Sequence, residues 1–154
     1  MPTKTKVKPI PDGYRAVTPY VVAGGADKLI GFLKNVFGAE ESMRLERPDG
    51  KIGHAEVRIG DSVIMIGEAC DGHKASSATL HVYVEDADAV YNRALKAGGT
   101  SVMEPTDMFY GDRYGAVKDH SGNTWGIATH VENVPPKELK SRAAAFMAQQ
   151  PAQR

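Results

Sequence analysis

Cysteine is almost missing from this chain. Cys70 is the only one, which excludes an internal disulfide framework and makes a reducing compartment the expectation. Net charge is missing as well. Nineteen Lys and Arg balance nineteen Asp and Glu, so nothing global points to nucleic acid or to an anionic membrane surface. The basic start "KTKVK" is too short to alter that, and fraying is expected there. No apolar run is long enough to cross a bilayer, and "MPTKTKVKPIPDGY" has no apolar segment of the secretory kind. The expected setting is therefore the cytoplasm, with no membrane partner. "GGADK" lacks the glycine spacing and the Lys-Ser/Thr ending of a phosphate loop, and no Ser-His-Asp or Cys-His arrangement can be inferred.

What is present suits a packed globular protein. The 154 residues are 42% hydrophobic and 25% charged, enough for one ordinary domain or two small joined modules. "AVTPYVVAGG" reads as a strand and "ADKLIGFLKNVFGA" as an amphipathic helix, with Leu29, Phe32, Leu33 and Val36 on one face and Gly38 as its C-terminal cap. "ESMRLERP", "HAEVRI" and "SVIMIG" follow as strands, separated by "PDGK" and "GD" turns. After the polar connector "DGHKASSA" the pattern restarts. "TLHVYV" is a strand, "DADAVYNRALKAGG" a helix, and "TSVMEPT", "RYGAVKD" and "TWGIATH" are strands. "VPPKELKSRAAAFMAQQPAQR" reads as a C-terminal helix with its tail.

The two halves align at a constant offset of 61 positions. Thr18 corresponds to Thr79, Val21 to Val82, Ala26 to Ala87, Gly38 to Gly99, Ile64 to Trp125 and Ile66 to Ile127. The expected architecture is α+β, with a first βαβββ module over 12–70, a second over 76–132, and a C-terminal helix and tail over 133–154.

Strand alternation assigns faces. Ala55, Val57, Ile59, Ile64, Ile66, Leu80, Val82 and Trp125 are expected under the helices. The opposite faces then collect Thr18, Tyr20, His54, Glu56, Arg58, Met65, Thr79, His81, Tyr83 and Tyr114. With Arg113 as a rim charge for an anionic group, these are the candidate ligand contacts. His54 and Glu56, two apart on one strand, are also the candidate acid/base pair, because an imidazole and a carboxylate are the usual agents of proton transfer near neutrality. Two polar residues on a wet strand, or two ligands of a metal needing a third donor such as His81, are the other readings of that pair.

Paired βαβββ modules resemble the vicinal oxygen chelate superfamily of glyoxalases, bleomycin resistance proteins and dioxygenases. The stretches "PDGYRAVTPYVV", "FLKNVFGAEESMRLERPDGKIGHAEVRIGDSVIMIGEA" and "FYGDRYGAVKDHSGNTWGIATHVENVPPKEL" are closest to its PhnB-like branch. The resemblance implies curled mixed sheets around a concave cavity, a homodimer, and, in metal-dependent members, four inward ligands on the first and last strand of each module. Carried onto this chain, those four positions are Thr18, Met65, Thr79 and Gly126, none a good donor to a catalytic divalent cation. A two-residue shift on one strand brings in His81. The expected function is thus a small-molecule binding protein without the usual metal site or other cofactor, holding a planar or aromatic organic ligand. Whether any reaction is catalysed stays open. The alternative is a divalent-metal-dependent lyase, isomerase or dioxygenase with non-standard ligands.

Overall fold

The structure is a computed structural model that describes residues 6–150; the first part of the "KTKVK" stretch and the last four residues lie outside the described residues. The chain separates into two compact units with the boundary between Ser77 and Ala78, at the end of the polar connector. The first contains β1 (Tyr20–Ala23), α1 (Ala26–Phe37), β2 (Glu40–Glu46), β3 (Ile52–Ile59) and β4 (Ser62–Glu68). The second contains β5 (Thr79–Tyr83), α2 (Ala87–Lys96), β6 (Thr100–Asp107), β7 (Asp112–Lys118), β8 (Thr124–His130) and the C-terminal helix α3 (Pro136–Ala148). Each unit holds one open, mixed, four-stranded sheet, in the orders β1-β4-β3-β2 and β5-β8-β7-β6. In each, the first strand runs parallel to the last and the other pairings are antiparallel. This is the expected pair of βαβββ modules with a C-terminal helix.

The helices cover one face of each sheet. Leu29, Phe32, Leu33 and Val36 of α1 are buried, as their spacing requires, above the buried Val21, Ala55, Val57, Ile64 and Ile66. Gly38 closes α1 in the left-handed region at φ 65°. In the second unit Trp125 and Ile127 are fully buried, with Val90, Tyr91 and Ala94 of α2. The Trp125 indole N–H donates to Asp119 (2.8 Å), whose carboxylate also accepts from the Asn123 amide (3.0 Å) and from the backbone of Ser121 and Asn123. "DHSGN" is therefore a turn organised around one buried carboxylate.

The internal repeat extends to the helix caps. Gly25 offers α1 no side-chain cap, and the Glu68 carboxylate accepts instead from the Gly25 and Ala26 amides (3.0 and 2.6 Å). Thr129, 61 positions after Glu68, accepts from the Ala87 amide (2.9 Å) at the start of α2. In both units, then, the last strand stoppers the helix N-terminus with a side-chain oxygen.

Two sequence expectations need correction. The first strand begins at Tyr20, and Thr18 precedes it outside the ladder, with its hydroxyl donating to the Arg15 carbonyl (3.1 Å). Pro19 has no N–H to give the ladder, so the strand cannot extend back through it in the usual way. The 61-residue offset is also not uniform. Ala55 pairs with Ile66, yet the partner of Ile127 is Gly115, so β7 is displaced by one residue relative to β8. The two-residue "GD" turn of the first unit is replaced by the five-residue 119–123 turn, which accommodates the shift.

Candidate functional site

On the face of the first sheet away from α1, the ladder sets Tyr20 beside Met65 and Met65 beside Glu56. Glu56 is 3% exposed, and a carboxylate that deep requires partners. Tyr14, from the segment before β1, donates its phenol to Glu56, which holds the Tyr14 hydroxyl above its ordinary pKa. His54 Nε2 lies 3.5 Å from the other Glu56 oxygen, and His54 Nδ1 lies 3.3 Å from the Tyr20 hydroxyl. Tyr14, Glu56, His54 and Tyr20 thus form one string, and the Tyr20 and His54 rings stand 5.6 Å apart. Gly67 makes room for it: a Cβ there would sit 2.8 Å from the Tyr20 hydroxyl. Arg58, on the same face, lays its guanidinium against the Gly13 turn.

Tyr20 also lines a cavity of about 490 Å³, a volume in the range of small-molecule sites. Val22, Gly53 and Gly67 contribute from the strands, and Arg47 and Glu68 from strand ends. Cys70 and His73 complete it, held face to face by reciprocal backbone hydrogen bonds of 2.9 and 3.0 Å. Alternation from Met65 reaches Gly67, whereas Cys70 and His73 lie beyond the strands and carry no pattern that places them here. Sequence reading missed Val22, Arg47, Gly53 and Glu68 as cavity residues. Val22 was accessible by alternation from Tyr20; Arg47, in the turn after β2, carried no periodic signal.

In the second unit the ladder sets His81 beside Gly126 and Tyr83 beside Ala128. Tyr114 stacks on His81 with ring centres 5.4 Å apart and planes inclined by 9°, and Tyr83 packs at 5.0 Å from the same imidazole. A Cβ at Gly126 would fall 2.9 Å from the Tyr114 ring, so the missing side chain at 126 is what admits the stack. The Tyr83 phenol donates to buried Asp112 (2.9 Å), which raises the Tyr83 pKa. Asp112 also bonds His130 Nδ1 (2.8 Å), while His130 Nε2 meets Asn133 (2.8 Å); both contacts raise the His130 pKa, that of Asp112 the more. Thr79 lies opposite Thr124 at the start of β5. Arg113 turns to α2, where its fork grips both oxygens of Asp88 (2.6 and 2.9 Å) and reaches Asp107 (3.2 Å). Its planar donors are already matched to carboxylates of the protein itself.

Ladder pairing tests the chelation positions directly. The cross-strand pairs are Tyr20 with Met65 and His81 with Gly126, so Thr18 and Thr79 are each two residues out of register with the expected partner. A phenol, a thioether and a glycine are poor donors for a hard or intermediate divalent cation, and the space at Gly126 is taken by Tyr114. Among the described residues no group of three or more His, Cys, Asp or Glu is arranged to hold a metal ion. Of the side chains at these positions, the His81 imidazole is the one usual ligand of such a cation.

The sequence profile of the glyoxalase/bleomycin resistance protein/dioxygenase superfamily matches residues 16–127. The chain belongs to that superfamily. A Mycobacterium bovis protein is 34% identical to this superfamily member over 137 residues, covering 82% of this chain and 90% of its own. A Mycobacterium tuberculosis protein is equally similar, over 82% of this chain and 81% of its own. Among solved structures, TioX from Micromonospora sp. ML1 aligns with a TM-score of 0.60 at 25% identity, over 75% of this chain and all 100% of its own. A PhnB protein from Bacillus cereus aligns with a TM-score of 0.62 at 17% identity, over 75% and 99% of the two chains, which shows the shared fold.

Proposed function

We propose that this superfamily member is a metal-independent binding protein for a planar or aromatic organic molecule. The observation that carries the reading is the first-unit cavity beside the Tyr20–His54–Glu56 string, an apolar and aromatic wall with a few fixed polar groups. The second unit's Tyr83, His81 and Tyr114 cluster adds another aromatic surface of the same character. Three of the four cross-strand positions, Tyr20, Met65 and Gly126, offer poor donors, which supports binding without a cation; His81 is the exception. Arg58 and Met65 share the first-unit face and serve as flanking contacts. The quoted N- and C-terminal stretches favour the PhnB-like branch, and a homodimer in the cytoplasm completes the proposal.

The test has two steps. Elemental analysis of native protein, before and after chelation, is expected to find no stoichiometric Zn, Ni, Mn or Fe; finding one overturns metal independence. A thermal-shift screen of aromatic metabolites and antibiotics is then expected to raise the melting temperature equally with and without chelator, and Tyr20→Ala to remove the shift. Proton transfer is the second reading, favoured by one contact: His54 links a buried carboxylate to a phenol on the cavity wall. Turnover of a bound compound that stops in His54→Gln, with binding retained, would move the assignment to an enzyme.

A further inference from the structure

We infer that the first-unit cavity selects an aromatic carboxylate, with Arg47 as the group that recognises the acid. The inference rests on the binding reading above and names the ligand class for the same cavity. Arg47 follows β2 and is pinned by its turn: its amide donates to the Lys51 carbonyl (2.8 Å), and its carbonyl accepts from the Gly50 amide (2.9 Å). Its stem crosses Gly53, where a Cβ would lie 3.2 Å from Arg47 Cγ and 3.9 Å from Cδ. The side chain is therefore laid along the cavity wall by a glycine, not left to wander in solvent.

Its charge has carboxylate neighbours in Asp49 and Glu68, but its Nε–H lacks a hydrogen bond. Arg47 Nε is buried and has no hydrogen-bond partner among the described residues. A buried guanidinium N–H without an acceptor is costly, and the rest of the fork belongs to a side chain that is 28% exposed and open to a ligand oxygen. Two carboxylates lie near, and neither supplies the bond. Asp49 Oδ1 stands 3.7 Å from Nε and instead accepts from the Lys51 amide (3.0 Å). Glu68 directs both oxygens to the amides at the start of α1.

The ligand chemistry follows from the rest of the wall. Arg47 is the one Arg or Lys lining the cavity among the described residues. A single planar fork matches the two oxygens of a carboxylate, whereas a phosphate dianion calls for more positive charge. Tyr20 and Val22 supply the aromatic and apolar surface that suits a flat ring.

The experiment is calorimetric titration of the full chain with 2-naphthoate and with its neutral isostere, 2-naphthamide. Naphthoate is expected to bind roughly tenfold or more tightly than naphthamide, as a charge-assisted hydrogen bond implies. Arg47→Gln should remove that preference and leave the two ligands about equal in affinity, with circular dichroism and the melting temperature reporting that the variant is folded. Gly53→Ala keeps the arginine but displaces its stem, and should lower naphthoate affinity in the same direction. Equal affinities in the native protein, or a naphthoate preference that survives Arg47→Gln, would overturn the inference and leave the aromatic pocket standing. An equal loss of both ligands in Arg47→Gln overturns it too. Failure of both ligands to bind the native protein overturns the pocket reading along with it.

Discussion

At the scale of single residues, carboxylates do much of the organising, and Glu68 and Glu41 carry a pH signature. Burial raises the Glu68 pKa, but the Ala26 and Gly25 amides outweigh it and hold the group below its ordinary 4.5. A lowered folded pKa means that the stabilisation is complete above the unfolded value and is lost as pH falls through the folded one. Glu41 behaves likewise and more strongly. Its hydrogen bond from Arg44 leads, burial opposes it, Lys34 adds to it, and the group is held at about 2. Urea midpoints should therefore fall below pH 4.5 and keep falling toward pH 2, with Glu41→Gln flattening the decline. Removing the α1 cap with Glu68→Ala should lower stability at pH 7 by about 1 kcal/mol in the same assay. His130 has the opposite sign. Its raised pKa makes its contribution complete below 6.5 and lost as pH rises through the folded value. Proton NMR should find the His130 ring titrating above 6.5, and Asp112→Asn should bring it back down.

At the scale of elements, the glycines separate two kinds of cost. Ala at Gly126 meets the Tyr114 ring, a side chain that can swing away, so Gly126→Ala should break the His81 stack at a cost of about 1 kcal/mol. Ala at Gly111 would run into the Glu132 backbone carbonyl, at a φ of +101°. Neither can relax cheaply, and Gly111→Ala should cost about 3 kcal/mol or more, read from equilibrium unfolding. The same distinction explains what the sequence made legible. Helix α1 was readable because its apolar residues repeat at one period and Gly38 marks its end. The pairing of His54 with Glu56 was readable because a strand alternates. The start of β1 was misjudged because Pro19 interrupts a run that otherwise looks extended. The displacement of β7 was invisible because a turn of different length leaves the strand's own pattern intact. Arg47 was missed for a related reason: its position depends on a turn and on Gly53, and neither leaves a periodic trace.

At the scale of the whole molecule, a duplicated motif has diverged in chemistry while keeping its frame. Both units keep the strand order, the parallel first and last strands, and the helix cap from the last strand. The polar groups differ: Glu56 is buried on the first sheet's open face, and its ladder equivalent in the second unit is Ala116. The second unit invests its own buried carboxylate, Asp119, in the turn beneath Trp125. Asp119→Ala should cost about 3 kcal/mol, since it strands the indole N–H and the Asn123 amide together. Trp125 emission should report that loss as unfolding at lower urea. The same indole has a practical use. It is the chain's only tryptophan and sits in the second unit, while the only thiol, Cys70, is exposed in the first. Without any engineered residue, then, the natural chain offers one fluorescent donor in one half and one attachment point for an acceptor in the other. Energy transfer between them would follow the separation of the two halves in solution, with and without a bound ligand.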